Sequence, residues 1–259
     1  MHRIGLGLMV LTIAVPASAQ PKPATPPAAM QMPPGYLTGK PPVDILKLLP
    51  PPPAPGSAQD IADRAAYAAS AAGVGGSDWQ AAIGQLSPTS PEFVRAISCA
   101  IGTQLSLAAT PATMTMVARA GVDMIGPMTT AKDRYARPRP FTTDAGKPGW
   151  VPACDPISRD GVGARLGFAY PSGHSGIGWL WALILSDAAP ARADAIRKFG
   201  MATGDLRVAC RVHWLSDVAN GRILATSVYQ RIAAEPEYQA DLARAVAEIV
   251  AAPPLSCPG

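Results

Sequence analysis

The 29 prolines of this 259-residue chain constrain its fold more than any other feature, because they limit where a helix or a strand can run. Proline lacks a backbone N–H and breaks a helix interior, but it is well accepted at the first helical position after an N-cap residue. Ser90 precedes Pro91 and Thr110 precedes Pro111 in this arrangement. We therefore predict that a helix begins at each of these two prolines.

Apolar residues recur at helical spacing over much of the chain, and no alternating run is long enough to indicate a strand. After Pro236, for example, Tyr238, Leu242 and Val246 are four residues apart. The sequence therefore predicts an all-α protein, built as a single helical-bundle domain with long connections. The predicted helices are Gln59–Ala72, Pro91–Leu107, Pro111–Met124, His174–Ser186, Pro190–Thr203, Ser216–Ala233 and Pro236–Ala251.

The N-terminus has the three-part pattern of a secretory signal peptide. Arg3 precedes an apolar stretch from Ile4 to Val15, and Ala17-Ser18-Ala19 forms a small-x-small cleavage site. Residues 1–19 are therefore predicted to be a signal peptide, which places the protein in the periplasm or outside the cell. An uncleaved anchor or a buried N-terminal helix is the alternative interpretation.

Composition divides the rest of the chain into three parts. Residues 20–40 are rich in proline and alanine and predict a linker, residues 41–252 form the predicted folded domain, and residues 253–259 form a C-terminal tail. The longest internal apolar candidate, Ile177–Leu185, has about half of the ~18–20 residues that a membrane span needs. We therefore predict a buried helix there and no membrane span.

Charge and cysteine content narrow the classes of partner. The formal net charge of +4 favours an anionic substrate, whereas the basic residues form no long run of the kind that indicates nucleic-acid binding. In an oxidising compartment the four cysteines predict two disulfides, and three pairings are open at this point. Their spacing does not resemble a zinc site, and no metal site is predicted.

Only two histidines, His174 and His213, remain once the predicted signal peptide with His2 is removed. His174 follows Ser172 and Gly173 at the start of an apolar helix. Ser172 is a candidate N-cap, and the N–H groups and dipole of a helix N-terminus favour a bound phosphate or oxyanion. Gly173 would let such an anion approach the backbone closely. A capped helix that carries an incidental histidine is the alternative.

His213 lies four residues before Asp217, a spacing that places both side chains on one face of a helix. The carboxylate could then accept the imidazole Nδ1–H and leave Nε2 free as a base or nucleophile. Arg207 lies six residues before His213 and would face away on one continuous helix, so we predict a break between them. In the alternative interpretation, Asp217 caps the helix or pairs with Arg211, and His213 is a core residue.

The third candidate cluster is the basic segment around Lys132 and Arg139. These residues are seven apart, roughly on one side of a helix that Pro138 and Pro140 would end. An ammonium and a guanidinium together suit a tetrahedral oxyanion. A basic helix C-terminus stabilised by the helix dipole is the alternative.

The order of the three clusters resembles the three-part signature of the type 2 phosphatidic acid phosphatase and vanadium haloperoxidase superfamily. Within it, the chain is most similar to the bacterial class A non-specific acid phosphatases, over roughly Val43 to Val250. The resemblance implies the all-α fold of that superfamily and a secreted acid phosphatase that needs neither a metal nor another cofactor. The matching segments are Lys132-x6-Arg139-Pro140, Pro171-Ser172-Gly173-His174 and Arg207-x5-His213-x3-Asp217.

The resemblance also implies a role for each matched residue. His213 would attack phosphorus to form a phosphohistidine, and Asp217 would orient its ring. His174 would protonate the leaving group and then activate water. The expected substrates are small phosphate monoesters such as nucleotides, sugar phosphates and aryl phosphates, and the apolar helical surfaces are compatible with a homodimer. The implied phosphate-binding residues are Lys132, Arg139, Ser172, Gly173 and Arg207.

Two features of the third motif depart from the family pattern. Leu206 stands where a serine usually precedes the arginine, which predicts a reduced rate or an altered substrate range. Arg211 is expected to add positive charge near the mouth of the site. Family members often carry cysteines matching Cys154 and Cys210, which implies one disulfide between these two and another between Cys99 and Cys257.

Three other functions remain open at this stage. A vanadate-dependent haloperoxidase or a lipid phosphatase would use the same kind of site, although the first usually has a longer chain and the second has several membrane spans. The change at Leu206 also allows a non-catalytic, phosphate-binding pseudoenzyme.

Overall fold

The structure is a computed structural model that describes residues 33–156 and 167–257. The described residues form an all-α domain whose only extended pairing is an isolated bridge between Thr103 and Pro254, so the predicted fold class is confirmed. The predicted signal peptide lies outside the described residues. The helices are α1 (Ile45–Leu48), α2 (Ala58–Ala69), α3 (Ser77–Gly84), α4 (Pro91–Ile101), α5 (Pro111–Tyr135), α6 (Pro140–Thr143), α7 (Gly173–Ala188), α8 (Ala193–Ala209), α9 (Leu215–Ala233) and α10 (Pro236–Ala251).

Both predicted proline-marked helix starts are present, but they are capped differently. The Ser90 hydroxyl accepts the Phe93 N–H at 3.3 Å, as an N-cap serine does. The Thr110 hydroxyl makes no such bond to α5. The Glu248 carboxylate of α10 instead accepts N–H groups from the first turn of α5, including that of Thr113 at 2.8 Å. This start therefore depends on a tertiary contact.

Three helix ends differ clearly from the prediction. One is the end of α8, which continues past the predicted end at Thr203 to Ala209. The chain leaves α4 at Gly102, whose φ of 82° is left-handed, whereas the apolar pattern extends the predicted helix to Leu107. In contrast, α5 continues past Met124 to Tyr135 with Pro127 in its interior. The prediction missed the short helices α1, α3 and α6, of which α3 has eight residues and glycines at both ends.

Helix α7 is the central helix and packs closely against α8 and α9. Glycines allow the close approach: a Cβ at Gly178 would lie 2.6 Å from Thr203, and a Cβ at Gly221 would lie 2.4 Å from the Ser172 carbonyl oxygen. The second contact places the N-terminus of α7 against α9. The two backbones approach so closely there that a side chain at position 221 would not fit without a shift.

Both ends of the described chain are fixed to the helices. The N–H groups of Tyr36 and Leu37, which belong to the segment assigned to the linker, donate to Asp123 of α5 at 2.8 and 3.1 Å. Cys257 in the predicted tail forms a disulfide with Cys99 of α4. The second disulfide joins Cys154 to Cys210, so the pairing implied by the family resemblance is confirmed.

No helix in the described part of the chain has both the length and the apolar content to cross a membrane.

We predict that Gly221→Ala lowers the free energy of unfolding by about 1–3 kcal/mol, since the added methyl group would push α9 away from the Ser172 carbonyl. Gly121→Ala is the matched control, because its methyl group would meet only the flexible end of Ile177 at 3.2 Å. The control should stay within about 1 kcal/mol of the wild type. Denaturant unfolding measures both values, and equal stability of the two variants would contradict the packing described here.

Candidate active site

The fold brings the three sequence clusters together around His213. Charges on Arg139, Lys132, His174 and Arg207 all act on its imidazole, which is 3% exposed. Each helix that contributes does so near one of its ends. Lys132 is in the last turn of α5, Arg139 precedes α6, Ser172 caps α7, Gly173 and His174 begin α7, Arg207 is in the last turn of α8, His213 precedes the N-cap of α9, and Asp217 is in the first turn of α9.

The predicted contact between His213 and Asp217 is present, but its geometry differs from the prediction. His213 precedes α9, whose N-cap is Trp214, so the two residues do not share a helical face. Asp217 is the third residue of α9, and its carboxylate folds back over the helix N-terminus. There it accepts the Trp214 N–H at 2.8 Å and approaches Nδ1 of His213 at 3.3 Å. A capping interaction therefore brings the carboxylate to the ring.

The surroundings of the ring define its tautomer. A guanidinium nitrogen of Arg139 lies 3.2 Å from Nε2 of His213. Because a guanidinium has only donors, Nε2 must accept, and the ring proton of a neutral His213 is on Nδ1, facing Asp217. The Nε2 lone pair is thus directed towards the cations.

Arg139 does not lie on the same helix as Lys132, contrary to the prediction. Helix α5 ends at Tyr135, and Ala136 is left-handed with a φ of 42°. Arg139 then lies in an extended segment and donates to the carbonyl oxygens of Gly167 and Val212, both at 2.9 Å.

One carbonyl nevertheless brings the two cations of this cluster together. The Phe168 carbonyl oxygen accepts from Lys132 at 2.5 Å and from Arg139 at 3.5 Å. The loop around residue 168 thus holds both side chains, although they leave the backbone in different conformations.

Arg207 is 1% exposed and is held by α3, a helix that the sequence pattern did not reveal. One of its terminal nitrogens donates to the Ala82 carbonyl at 3.0 Å, while its Nε is buried without a partner among the described residues. The neighbouring Leu206 packs beside the apolar cluster that includes Trp79 and Cys210. A backbone carbonyl therefore fixes Arg207, and no serine hydroxyl is needed for that contact.

The start of α7 has the predicted N-cap. The Ser172 hydroxyl accepts the Ser175 N–H at 3.3 Å, which leaves the hydroxyl proton for another acceptor. Nε2 of His174 lies 2.6 Å from the Leu86 carbonyl oxygen, just after α3. A carbonyl oxygen can only accept, so this nitrogen carries a proton.

Lys132, Gly173 and His174 are only partly buried and mark the side of the cluster that faces solvent. A groove of about 410 Å³ between residues 42–46 and α5 shares no residue with this cluster.

Burial of so many cations disfavours their charged forms. Burial and the nearby Arg139 lower the pKa of Lys132 to about 7, and burial lowers the pKa of Arg139 and that of Arg207 to about 10. Burial and Arg207 lower the pKa of His174 to about 4, and burial places the pKa of His213 well below its usual value. The cluster thus has an excess of buried positive charge that a bound anion would neutralise.

Three residues at the site were not singled out from the sequence. Arg137 donates to the Asp217 carboxylate at 2.6 Å and to the Asp63 carboxylate at 2.8 Å, and Ser216 contacts both Arg137 and Asp63. Arg137 was hidden within a basic run that resembles a helix end. Asp63 lies in α2, far away in sequence and without a motif of its own.

Arg211 does not lie near the mouth of the site, contrary to expectation. Its guanidinium stacks on the Tyr67 ring at 4.1 Å and donates to the Tyr67 carbonyl and the Ser70 hydroxyl. It therefore holds α2 against the turn before α9.

The chain is similar in sequence to several known proteins. A family model of the PAP2 superfamily matches residues 105–235. A non-specific acid phosphatase of Providencia stuartii is 32% identical over 212 residues, which cover 81% of this chain and 82% of that protein. A non-specific acid phosphatase of Salmonella typhimurium is 32% identical over 203 residues, 78% of each chain. An acid phosphatase of Zymomonas mobilis is 30% identical over 207 residues, 80% of this chain and 75% of that protein.

The chain belongs to the PAP2 superfamily. The matched PAP2 region runs from before Lys132 to beyond Asp217 and so contains all three sequence clusters. Asp63, which holds Arg137, lies outside it.

We predict that a tetrahedral dianion binds to this PAP2 site with uptake of protons. Sulfate remains a dianion near neutral pH, so it neither gains nor loses a proton on binding. Any proton exchange that accompanies binding is therefore between the protein and the buffer. At pH 7 the pKa of Lys132, about 7, leaves its amine partly deprotonated, and a neighbouring dianion would raise that pKa. Calorimetric titration with sulfate in two buffers of different ionisation enthalpy should therefore show net uptake.

Lys132→Met should remove most of that uptake, because it removes the group that gains the proton. Proton release on sulfate binding by the wild type, or no exchange at all, would contradict the charge distribution described above.

Proposed function

We propose that this protein is a secreted acid phosphatase that hydrolyses phosphate monoesters through a phosphohistidine on His213. The observation that carries the proposal is the directed lone pair of Nε2: it faces a group of buried cations, while Nδ1 faces Asp217. A phosphate between these cations and Nε2 would have its oxygen charge neutralised and its phosphorus next to the nucleophile. The acid phosphatase relatives support the same reaction class.

The phosphate would be bound by cations of different geometry. Arg139 and Arg207 offer planar forks of donors, Lys132 offers a mobile ammonium, and Ser172 has a hydroxyl proton to donate. Gly173 begins α7, so its N–H lies at the positive end of the helix dipole. The Nε of Arg207, which is buried and has no partner in the described part of the chain, supports the assignment of Arg207 as a phosphate ligand.

In the first step, the Nε2 lone pair of His213 forms a bond to phosphorus while the ester P–O bond breaks. The bonding electrons leave on the ester oxygen, which takes a proton from His174. The ring now carries positive charge and retains its Nδ1 proton. The Asp217 carboxylate stabilises that charge at the contact already described.

In the second step, water attacks phosphorus and gives a proton to the now neutral His174. The P–N bond breaks, its electrons return to Nε2, and inorganic phosphate leaves. His174 thus acts first as an acid and then as a base, and both steps use the same phosphate contacts.

The pKa values favour an acidic to near-neutral optimum. Burial and the nearby Arg207 lower the pKa of His174 to about 4, and a bound dianion would raise it by offsetting the repulsion from Arg207. The protonated fraction of His174 therefore grows as pH falls. Burial raises the pKa of Asp217 to about 6, although Arg137 opposes this shift. Below that pH the Asp217 carboxylate becomes protonated and loses its negative charge. Activity should consequently fall on both sides of the optimum.

Two features of the chain support the proposed location of the protein outside the cytoplasm. The N-terminal sequence has the signal-peptide pattern, and two disulfides join all four cysteines. Both fit a protein that acts in the periplasm or beyond it.

We predict that the protein hydrolyses p-nitrophenyl phosphate without need for a metal, with inhibition by vanadate and an optimum below about pH 7. His213→Ala should lower kcat on the order of 10⁴-fold or more, because the nucleophile is lost. The variant should still bind sulfate, since the cations remain, and sulfate binding thus controls for misfolding. A His213→Ala variant as active as the wild type, or an optimum confined to alkaline pH, would exclude the mechanism.

A further inference from the structure

Two arginines from one short extended segment hold opposite ends of the His213–Asp217 pair. Arg139 contacts Nε2 of His213 at 3.2 Å, and Arg137 contacts the Asp217 carboxylate at 2.6 Å. Only Pro138 separates the two arginines in sequence. Arg139 belongs to the family signature, whereas Arg137 has no role in the proposed function.

The contacts of Arg137 exclude it from the phosphate site. One terminal nitrogen donates to Asp217 and to the Ser216 hydroxyl at 2.7 Å, and the other donates to Asp63 at 2.8 Å. Its guanidinium also lies 5.2 Å from the centre of the Trp214 ring. Both terminal nitrogens are therefore engaged by Asp217, Ser216 and Asp63, whereas Arg139 lies at the opposite ring nitrogen of His213.

Asp63 fixes this arrangement from α2. It is 1% exposed, and its carboxylate accepts the Ser216 N–H at 2.9 Å as well as the Ser216 hydroxyl and Arg137. The chain thus buries two carboxylates and one guanidinium in a row, Asp63–Arg137–Asp217. Such a row is costly to bury and is not needed for packing alone, since apolar side chains of similar volume often serve as well.

We propose that Arg137, anchored by Asp63, is a positioning residue that holds the Asp217 carboxylate against Nδ1 of His213 while His213 carries the phosphoryl group. Neither residue touches the substrate. Arg137 acts through Asp217, and Asp63 acts through Arg137 and Ser216. The proposal rests on the proposed function, because it assigns the two residues to that reaction.

The charged and titratable groups around Asp217 decide how each substitution should act. Arg137 lowers the pKa of Asp217, whereas Asp63 raises it. Loss of Arg137 would therefore protonate Asp217 at a higher pH, and loss of the Asp63 charge would protonate it at a lower pH. The groups that face or act on Asp217 are Arg137, Asp63, His213, Lys132, Arg139 and Tyr170.

The test is the pH dependence of kcat for p-nitrophenyl phosphate in Arg137→Met and Asp63→Asn. Both variants should have a kcat about 10- to 100-fold lower, by analogy with the loss of a group that orients a metal-ligating side chain. The acidic limb should move to higher pH in Arg137→Met, by about 1–3 units, and to lower pH in Asp63→Asn. KM should change less than kcat, since neither residue is placed at the phosphate.

A general loss of structure would not move the two acidic limbs in opposite directions. Arg119→Met is the matched control. Arg119 of α5 also pairs with a buried carboxylate at 2.9 Å, but that carboxylate belongs to Asp241 of α10 and not to the row around Arg137. It should lower the melting temperature and leave the acidic limb in place.

If Arg137→Met does not fold, Arg137→Lys is a second variant that tests the same positioning role. Its single ammonium restores a positive charge but cannot form the fork to both carboxylates, so kcat should remain below wild type while the acidic limb returns towards the wild-type position. Wild-type kcat in Arg137→Lys, or unshifted limbs with wild-type kcat in Arg137→Met and Asp63→Asn, would overturn the positioning role and leave the phosphatase assignment intact. A wild type without phosphatase activity would overturn both.

Discussion

The Asp217 carboxylate and backbone are the point at which the site is assembled. The carboxylate caps α9 through the Trp214 N–H, approaches Nδ1 of His213, and accepts from Arg137 of the segment after α5. Its backbone carbonyl accepts the Ser172 N–H at 2.9 Å, which joins the start of α7 to the start of α9. The close passage of Gly221 beside the Ser172 carbonyl permits that approach. One acidic residue thus contacts the ring of His213, the proposed nucleophile, and joins two helix N-termini.

The second constraint is the concentration of buried positive charge on the other side of His213. Removing several cations from water is unfavourable unless an anion compensates them. The lowered pKa values of Lys132, His174 and Arg207 reflect that cost. Binding of a phosphate dianion would relieve it, so the free energy of charge compensation is available to hold the phosphate next to Nε2. The fold buries the cluster between helix ends, and in the proposed reaction the negative charge of the substrate would compensate it.

Residue spacing predicted which residues of the site lie close together better than it predicted how their side chains meet. The four-residue interval between His213 and Asp217 indicated a contact, but it arises from a capping carboxylate and not from a shared helical face. Arg139 was placed on a helix that in fact ends before it, because the prolines fix where a helix stops only approximately. Arg137 and Asp63 could not be found in this way, since a contact between a basic run and a distant helix leaves no periodic signal. The all-α class and both disulfides followed from apolar periodicity and from the family resemblance, which do not depend on side-chain geometry.

The most direct test of the central claim is to trap the phosphorylated protein. His174→Ala removes the group proposed to activate water, whereas p-nitrophenolate is a good leaving group that needs little protonation, so the intermediate should accumulate. Alkaline quenching followed by mass spectrometry of the peptides locates the phosphate. We predict a phosphohistidine at His213 during turnover. Turnover without a covalent phosphate, or phosphate on any other residue, would contradict it.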